Sequence, residues 1–341
     1  MNKTRAKWIF WVVAFIVALI IPRIFGIIEI NMVVEFAIAA MFAVSLNMLL
    51  ASGLMSFGHS LFYGTGAYTM ALALTHLGEL PLIPTILVGG LASALVAIIL
   101  SPLLVRVTGS AMIMLTLALS QLMYVVCLKF REVTRGEDGL VGFPIPSLNI
   151  PGLGALDMED PTNFYYFAIT AIALCIWIMW FITKTPFGQL MVALRNDQER
   201  VEHLGFWVPC SKAIIFAISA FFAGMAGAIF GLFQAVVSAE SVLHVMVSFT
   251  PLMAILIGGA GTFIGPILGA GILLGIEEIA VTYTEQMELA SGLVFVLVVL
   301  YAPKGIMGFY NKLVDKWEER SLRLAAENPV LDDGAKAKEA V

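Results

Sequence analysis

Long apolar stretches, separated by short polar loops, follow one another along nearly the whole chain. A helix that crosses a bilayer needs about 20 mostly apolar residues, and ten stretches approach or reach that length. The predicted spans cover residues 8–27, 31–51, 57–77, 83–105, 110–130, 163–183, 211–235, 246–260, 264–283 and 287–303. Two of them, opening at Phe57 and at Ile264, are short or interrupted by glycine. The pattern therefore predicts an all-α polytopic membrane protein with about ten transmembrane helices.

The composition agrees with a chain that lipid covers. Hydrophobic residues make up 60% of the 341 and charged residues 13%, whereas a soluble domain has about 25% charged residues. So much apolar surface cannot all be buried in one soluble core. The formal net charge of −5 consequently says little about partners, and we expect a lipid bilayer and no nucleic acid. The three cysteines, Cys127, Cys175 and Cys210, have neither metal-ligand spacing nor an obvious pairing.

The basic residues predict the orientation of the chain. Lys3, Arg5 and Lys7 precede an apolar run that could be a signal peptide, but Pro22-Arg23 stands where a small-residue cleavage site would be expected. We interpret this run as a retained signal anchor. With ten spans and the N-terminus inside, 15 of the 19 basic residues lie in cytoplasmic segments and 4 outside, a strong positive-inside bias. We predict a multi-pass protein of the bacterial inner (plasma) membrane with both termini in the cytoplasm.

Three hydrophilic segments interrupt or follow the predicted transmembrane domain, residues 1–310. Residues 131–162 form a predicted periplasmic loop, residues 184–210 a cytoplasmic loop, and residues 311–341 a cytoplasmic C-terminal tail. Turn-forming residues are frequent in the periplasmic loop, so we expect an ordered lid there. The candidate functional residues of this loop are Thr134, Arg135, Gly136, Asp138 and Gly139.

The cytoplasmic loop is unusually polar for a segment between two apolar blocks. Thr185-Pro186-Phe187-Gly188 predicts the start of a short amphipathic helix, and Gly205 predicts its end, because glycine permits a left-handed cap. The apolar stripe comprises Leu190, Ala193, Leu194, Val201 and Leu204, and the charged face comprises Arg195, Asp197, Glu199, Arg200 and Glu202. Such a helix indicates a docking partner, although it could also lie on the membrane surface with its arginines on lipid phosphates.

Two glycine-rich clusters open the two interrupted spans, at residues 53–64 and 258–271. The spacing from Gly58 to Gly64 equals that from Gly265 to Gly271, which suggests an internal repeat. Paired broken helices in two halves of a transporter indicate a central permeation site; the alternative is close helix packing by small residues. The candidate path residues are Ser56, Gly58, His59, Ser60, Gly64, Thr65, Gly258, Gly259, Thr262 and Gly265.

Residue patterns that carry bond-making chemistry are missing from the sequence. It contains no phosphate-binding G-x-x-x-x-G-K-[ST] loop and no H-E-x-x-H pair, and its four histidines are scattered. Carboxylates are few within the predicted spans, and Glu35, Glu277 and Glu278 lie toward the outer ends of theirs. We therefore expect a protein that is not an enzyme, with no catalytic residues, no metal, no cofactor and no energy source of its own.

Several motifs together resemble the permeases of ABC importers. Glu199-Arg200-Val201 followed by Gly205 resembles the Glu-Ala-Ala-x-x-x-Gly loop by which such permeases dock on their ATPases, with Arg-Val in place of Ala-Ala. The wider pattern is similar to the branched-chain amino-acid ABC permease family of the LivM type. It comprises 185–188, 193–197, 204–205, 212 and 219–228, together with 56–59, 64–68, 134–140 and 258–266. The resemblance covers roughly residues 30–308.

That resemblance implies one permease subunit of a five-part importer. The expected partners are a second, homologous permease, two ATPases that bind ATP and Mg²⁺, and a periplasmic amino-acid-binding protein. The residues implied in ATPase coupling are Arg195, Asp197, Glu199, Arg200, Leu204 and Gly205. Branched-chain amino acids are the leading substrates, and urea or short amides remain open. A self-sufficient carrier or channel is the alternative from another class, and a membrane-embedded enzyme would need a clustered polar catalytic set.

Overall fold

A computed structural model describes residues 26–78, 80–150, 154–283 and 305–308, with single positions at 22, 292, 296 and 300. The predicted first span, except for its last residues, lies outside the described residues. The same holds for the predicted tenth span, apart from three single positions, and for the tail at 311–341. The count of ten spans therefore stays a prediction.

Helices make up most of the described chain, and short strands occur only near two of its loops. The helices are α1 (Ile27–Ala51), α2 (Ser60–Leu77), α3 (Leu82–Leu104), α4 (Ser110–Lys129), α5 (Arg131–Thr134), α6 (Pro161–Lys184), α7 (Pro186–Asn196), α8 (Gln198–His203), α9 (Val208–Gln234), α10 (Ala239–Leu243), α11 (Val245–Gly258) and α12 (Gly265–Tyr283). The strands are β1 (Leu140–Val141), β2 (Leu148–Ile150), β3 (Gly154–Leu156) and β4 (Val236–Val237).

Eight of the predicted spans coincide with long helices of the described chain, α1 to α4, α6, α9, α11 and α12. Six stretches in this part are long and apolar enough to cross a membrane: α1, α3, α4, α6, α9 and the run Ala239–Gly258. Residues 239–243 precede the predicted span at 246–260, so the helical run there is longer than the apolar pattern indicated. A multi-pass helical membrane protein is thus confirmed, while the internal repeat remains a prediction.

Small residues bring α2, α3 and α9 into close contact at the centre of the bundle. α1 and α9 are the most enclosed of the long apolar helices, with 72% and 67% of their most apolar window buried. A Cβ atom on Gly66 would collide with the backbone of Gly224, and one on Gly89 would lie 2.8 Å from the Gly66 carbonyl oxygen. Backbones can approach this closely only where side chains are nearly absent.

The described residues of the predicted periplasmic loop contain strands, which a purely α-helical prediction omitted. β1 pairs antiparallel with β4, and β2 pairs antiparallel with β3. The backbone groups of a loop outside helices need other partners, and short strand pairs supply them. The β1–β4 pair also ties this loop to the end of α9.

Candidate functional site

The predicted amphipathic helix is in fact two helices, α7 and α8, that meet at Asp197. The backbone of Asp197 is extended (φ −160°, ψ 104°), and its side chain accepts a hydrogen bond from the Arg200 backbone N–H at 3.1 Å. Aspartate is a favourable N-cap residue, so it ends the first helix and begins the second. The prediction of one continuous helix was wrong because it relied on hydrophobic periodicity and overlooked the cap at Asp197. The predicted start, with Pro186 in the first turn, is confirmed.

The side chains of the α7–α8 pair divide into a packed face and an exposed face. Met191, Leu194 and Val201 are buried against the bundle, at 1–2% exposure. Arg195, Glu199 and Arg200 are exposed, as the charged face predicts. Leu204 was placed on the packed stripe, but it is 70% exposed and continues into exposed Phe206 and Trp207. The reason is that α8 ends at His203, so helical periodicity no longer orients Leu204.

Gly205 ends α8 as the sequence predicts. Its φ is +88°, a conformation that glycine adopts without steric penalty. The Gly205 N–H bonds the Glu202 carbonyl oxygen at 2.9 Å, and the next N–H, of Phe206, bonds the Val201 carbonyl oxygen at 3.3 Å. These bonds satisfy carbonyl groups that the end of the helix leaves free.

The α7–α8 pair touches the segment that joins α1 to α2, residues 52–59, which we call the break segment. Gly53 in this segment has φ +79°, and a Cβ atom there would lie 3.2 Å from the Arg195 Cα and 3.4 Å from its Cγ. The backbone of α7 therefore rests directly on the break segment. The sequence showed neither this contact nor the other long-range contacts of the segment.

His59, at the end of the break segment, is enclosed at the centre of the bundle. It is 0% exposed, and its Nε2 lies 3.2 Å from the Ser45 Oγ and 3.4 Å from the Ser219 Oγ. Both hydroxyl groups donate elsewhere, to the carbonyl oxygens of Phe42 and Ser45 respectively, at 2.7 Å in each case. A neutral imidazole in this setting carries its proton on Nε2 and donates it. Its Nδ1 is then a buried acceptor without a partner among the described residues.

Hydroxyl groups from three helices meet at Ser60, the first residue of α2. The Ser60 Oγ lies 2.7 Å from the Ser120 Oγ of α4 and accepts from the Ser248 Oγ of α11 at 2.7 Å. The Ser60 backbone N–H also donates to the Ser248 Oγ, at 3.0 Å. This network satisfies one free N–H at the start of α2 and joins three helices. Thr65 differs, because its hydroxyl bonds only within α2, to the Leu61 carbonyl oxygen at 2.6 Å.

The second glycine cluster forms a corresponding turn between α11 and α12. The Thr262 Oγ1 donates to the Gly259 carbonyl oxygen and accepts from the Gly265 N–H, each at 3.1 Å. The Asn47 amide of α1 donates to the Thr262 carbonyl oxygen, also at 3.1 Å. Gly258 packs so closely that a Cβ atom would collide with the backbone of Gly265. Thr262 therefore bonds the first N–H of α12 and connects this turn to α1.

The candidate path residues are packed inside the bundle in this conformation. Thr262 keeps partial exposure, and the others are buried: Ser56, Gly58, His59, Ser60, Gly64, Thr65, Gly258, Gly259 and Gly265. A Cβ atom on Gly58 would collide with the Thr116 backbone, and one on Gly64 with the Leu243 side chain. The small-residue packing considered as the alternative is thus real at these glycines, and their role in a path stays a prediction.

The buried polar groups around His59, Ser60 and Thr262 form what we call the polar centre. Several of its residues were not singled out from the sequence as path residues. They are Ser45 and Asn47 of α1, Ser120 of α4, Ser219 of α9 and Ser248 of α11. The sequence could have indicated them as hydroxyl or amide residues within apolar stretches, but isolated serines in spans usually bond to their own helix. The Ser56 Oγ and the Asn47 Oδ1 resemble the His59 Nδ1, because they too are buried without a partner among the described residues.

The predicted loop residues act as a structural turn at the other end of the bundle. The Thr134 Oγ1 donates to the carbonyl oxygens of Cys127 and Phe130, at 2.5 and 2.9 Å. Arg135, Gly136 and Gly139 all have positive φ angles, between 58° and 69°. This turn directs Leu140 into its pairing with Val237. Asp138 is exposed, and the described residues contain no group of three potential metal ligands.

The long apolar helices of the described chain define a multi-pass membrane protein. The family described as the permease component of the branched-chain amino acid transport system matches residues 28–302, and the chain belongs to that family. The LivM proteins of Salmonella typhimurium and Escherichia coli K12 are high-affinity branched-chain amino acid transport permeases. Each is 30% identical to this chain over 275 residues. The match covers 75% of this chain and 64% of the relatives, so it spans just under two thirds of their length.

More distant relatives widen this comparison. LivH, a permease of the same transport system in Escherichia coli K12, is 29% identical over 153 residues, which are 41% of this chain and 49% of LivH. The probable LivM of Methanocaldococcus jannaschii is 21% identical over 245 residues, or 64% of this chain and 69% of that protein. No solved structure matches the chain.

Proposed function

We propose that the chain is a permease subunit of an ATP-driven importer that moves branched-chain or other hydrophobic amino acids across the inner membrane. The observation that carries this proposal is the α7–α8 pair in a chain of the branched-chain amino acid permease family. Its apolar side is packed on the bundle, while Arg195, Glu199 and Arg200 are presented outward. A partner can engage such a face without disturbing the core.

In this proposal, one of the two ATPases docks on the cytoplasmic α7–α8 pair, and the two ATPases bind the ATP and Mg²⁺. Closure of the nucleotide-bound ATPase dimer displaces the pair, and α7 transmits the displacement through Arg195 to Gly53 of the break segment. Exposed Leu204 and Phe206 extend the docking surface beyond α8. A periplasmic binding protein delivers the solute on the opposite side, where the 131–162 loop lies.

The solute passes between this chain and a second, homologous permease. The similarity to both LivM and LivH fits an assembly of two related permeases. Passage requires the two helix breaks to separate, because their residues are packed in the described conformation. Separation would expose His59 Nδ1, Ser56 Oγ and Asn47 Oδ1, which can bond the charged ends of an amino acid in an otherwise apolar lining.

Purification from the native membrane tests the proposal directly. We expect two ATPases and a second permease to accompany the tagged chain, and reconstituted vesicles to accumulate labelled leucine only with ATP and the binding protein. Urea accumulation without leucine accumulation would support the short-amide alternative. Recovery of the chain alone, with flux that needs no ATP, would refute the proposal in favour of a self-sufficient carrier or channel.

The docking role of α8 is tested by the double variant Glu199→Ala with Gly205→Ala. An added Cβ at Gly205 meets nothing within 4 Å, so its effect is a local strain of about 1–2 kcal/mol from the positive φ. We expect normal abundance in the membrane but loss of ATPase association and uptake. The matched control is Glu29→Ala with Gly78→Ala, which removes an exposed glutamate and alters a positive-φ glycine in open space. Normal uptake by the first variant would contradict the docking role.

A further inference from the structure

Lys212 is a buried lysine near the start of α9, next to α8. Its side chain is 3% exposed, and its Nζ donates a hydrogen bond to the Gln198 Oε1 at 2.9 Å. Gln198 is the first residue of α8, so this bond joins the α7–α8 pair to α9. Lys212 forms no ion pair with a described residue. The sequence alone gave no sign of this burial.

The stability of the fold does not explain a lysine at this position. Enclosing an ammonium group with a single neutral partner is unfavourable, because most of its hydration is lost. Lys212 also lies near the start of α9, where the helix dipole disfavours positive charge. Methionine would fill a similar volume without either penalty. What lysine provides and methionine lacks is the hydrogen bond to Gln198 of α8.

The same face of α9 connects Lys212 to the polar centre. Ser219 follows seven residues later, about two helical turns and about 10 Å further along the same side of the helix. Its hydroxyl donates to the Ser45 carbonyl oxygen at 2.7 Å and lies 3.4 Å from the His59 Nε2. At the other end of the break segment, Gly53 rests on the α7 backbone at Arg195. The break segment is therefore in contact at both ends with elements attached to the α7–α8 pair.

We propose that Lys212 is a positioning residue that links α8 to α9, so that displacement of the α7–α8 pair moves α9 and the break segment together. This inference rests on the proposed ATP-driven function and adds the route by which the ATPases act on the helices. Without the bond, α8 can follow an ATPase while α9 stays in place. ATP is then hydrolysed without a matching movement at His59.

The test compares uptake with ATP hydrolysis in the complete reconstituted complex. Lys212→Met keeps the apolar stem but removes the donor, and Gln198→Leu removes the acceptor. We expect both variants to assemble and to hydrolyse ATP, with leucine uptake per ATP reduced about tenfold, the loss typical of one hydrogen bond to a charged group. The double variant should be no worse than the more impaired single variant, because both remove the same interaction. Gln198→Glu keeps an acceptor and should couple normally.

Lys184→Met is the control, since it makes the same chemical change at an exposed lysine. Thermal stability of Lys212→Met should equal or exceed that of the wild type, because a buried charge is replaced by an apolar side chain. Wild-type uptake per ATP in Lys212→Met and Gln198→Leu would overturn the inference. If Lys212→Met does not fold, Gln198→Leu alone decides it by the same ratio. Failure of the proposed function would instead appear in the wild-type chain, as uptake that does not depend on ATPases.

Discussion

The close approach of α2 and α9 can be tested with one methyl group. A Cβ atom added at Gly227 of α9 would overlap the backbone carbonyl of Tyr63 in α2. Restoring an ordinary contact, at about 3.5–4.0 Å, requires these two helices to separate. The Tyr63 ring lies 4.5 Å from the Phe42 ring, which in turn stacks on His59 at 5.6 Å. The separation would therefore also disturb the polar centre.

The expected loss of stability for Gly227→Ala is about 1–3 kcal/mol, the usual effect of overpacking a tight interior. Soluble domains of 150–250 residues lose about 2–4 °C per kcal/mol, so we expect a fall in Tm of roughly 2–12 °C. Gly275→Ala in α12 is the matched control, because a Cβ there meets nothing within 4 Å. Alanine in an open helical position stabilises by roughly 0.5–1 kcal/mol, so this variant should be unchanged or more stable.

The assay is the fraction of tagged chain that stays monodisperse in detergent after heating to increasing temperatures. The wild type and both variants are compared at equal concentration in the same detergent. Wild-type stability of Gly227→Ala would refute the close approach of α2 and α9. An equal loss in both variants would show that the effect reflects glycine replacement in general and not this contact.

Two further predictions concern hydroxyl groups. Ser60→Ala leaves the buried hydroxyls of Ser120 and Ser248 without one partner, so it should destabilise the chain by about 1–3 kcal/mol in the same assay. Its control is Ser101→Ala, which removes a bond within one helix and should have little effect. Thr134→Val removes the hydroxyl bonds that hold the loop turn and should cost about 1 kcal/mol and speed proteolysis of residues 131–140. Unchanged proteolysis, with Thr75→Val as the control for a hydroxyl bonded only within its own helix, would contradict this role of Thr134.

Local chemistry explains the features of the α7–α8 pair that the sequence predicted correctly. Pro186 and Gly205 mark its two ends because proline and glycine restrict or free their own backbone angles, whatever surrounds them. The division at Asp197 was equally local and could have been recognised from its N-cap chemistry. The exposure of Leu204 could not, since it depends on how α8 ends against the bundle.

The contacts of the polar centre could not be predicted from the order of residues along the chain. His59 was selected as a candidate for its place beside a glycine, but its contacts with Ser45 and Ser219 join helices far apart in sequence. The same is true of Asn47 and Thr262, which lie 215 positions apart. Separations of this kind carry no periodic signal.

The sequence by itself determined that the chain is a helical membrane protein, where most of its described helices lie, and to which family it belongs. The first two properties follow from hydrophobicity, length and turn chemistry, which act over a few residues, and the family follows from the match to its known members. Tertiary structure decided which small residues allow helices to touch, and that Lys212 is enclosed. It also decided that the break segment rests on α7 at Arg195. Each of these depends on which helix packs against which, and that arrangement arises only when the whole bundle forms.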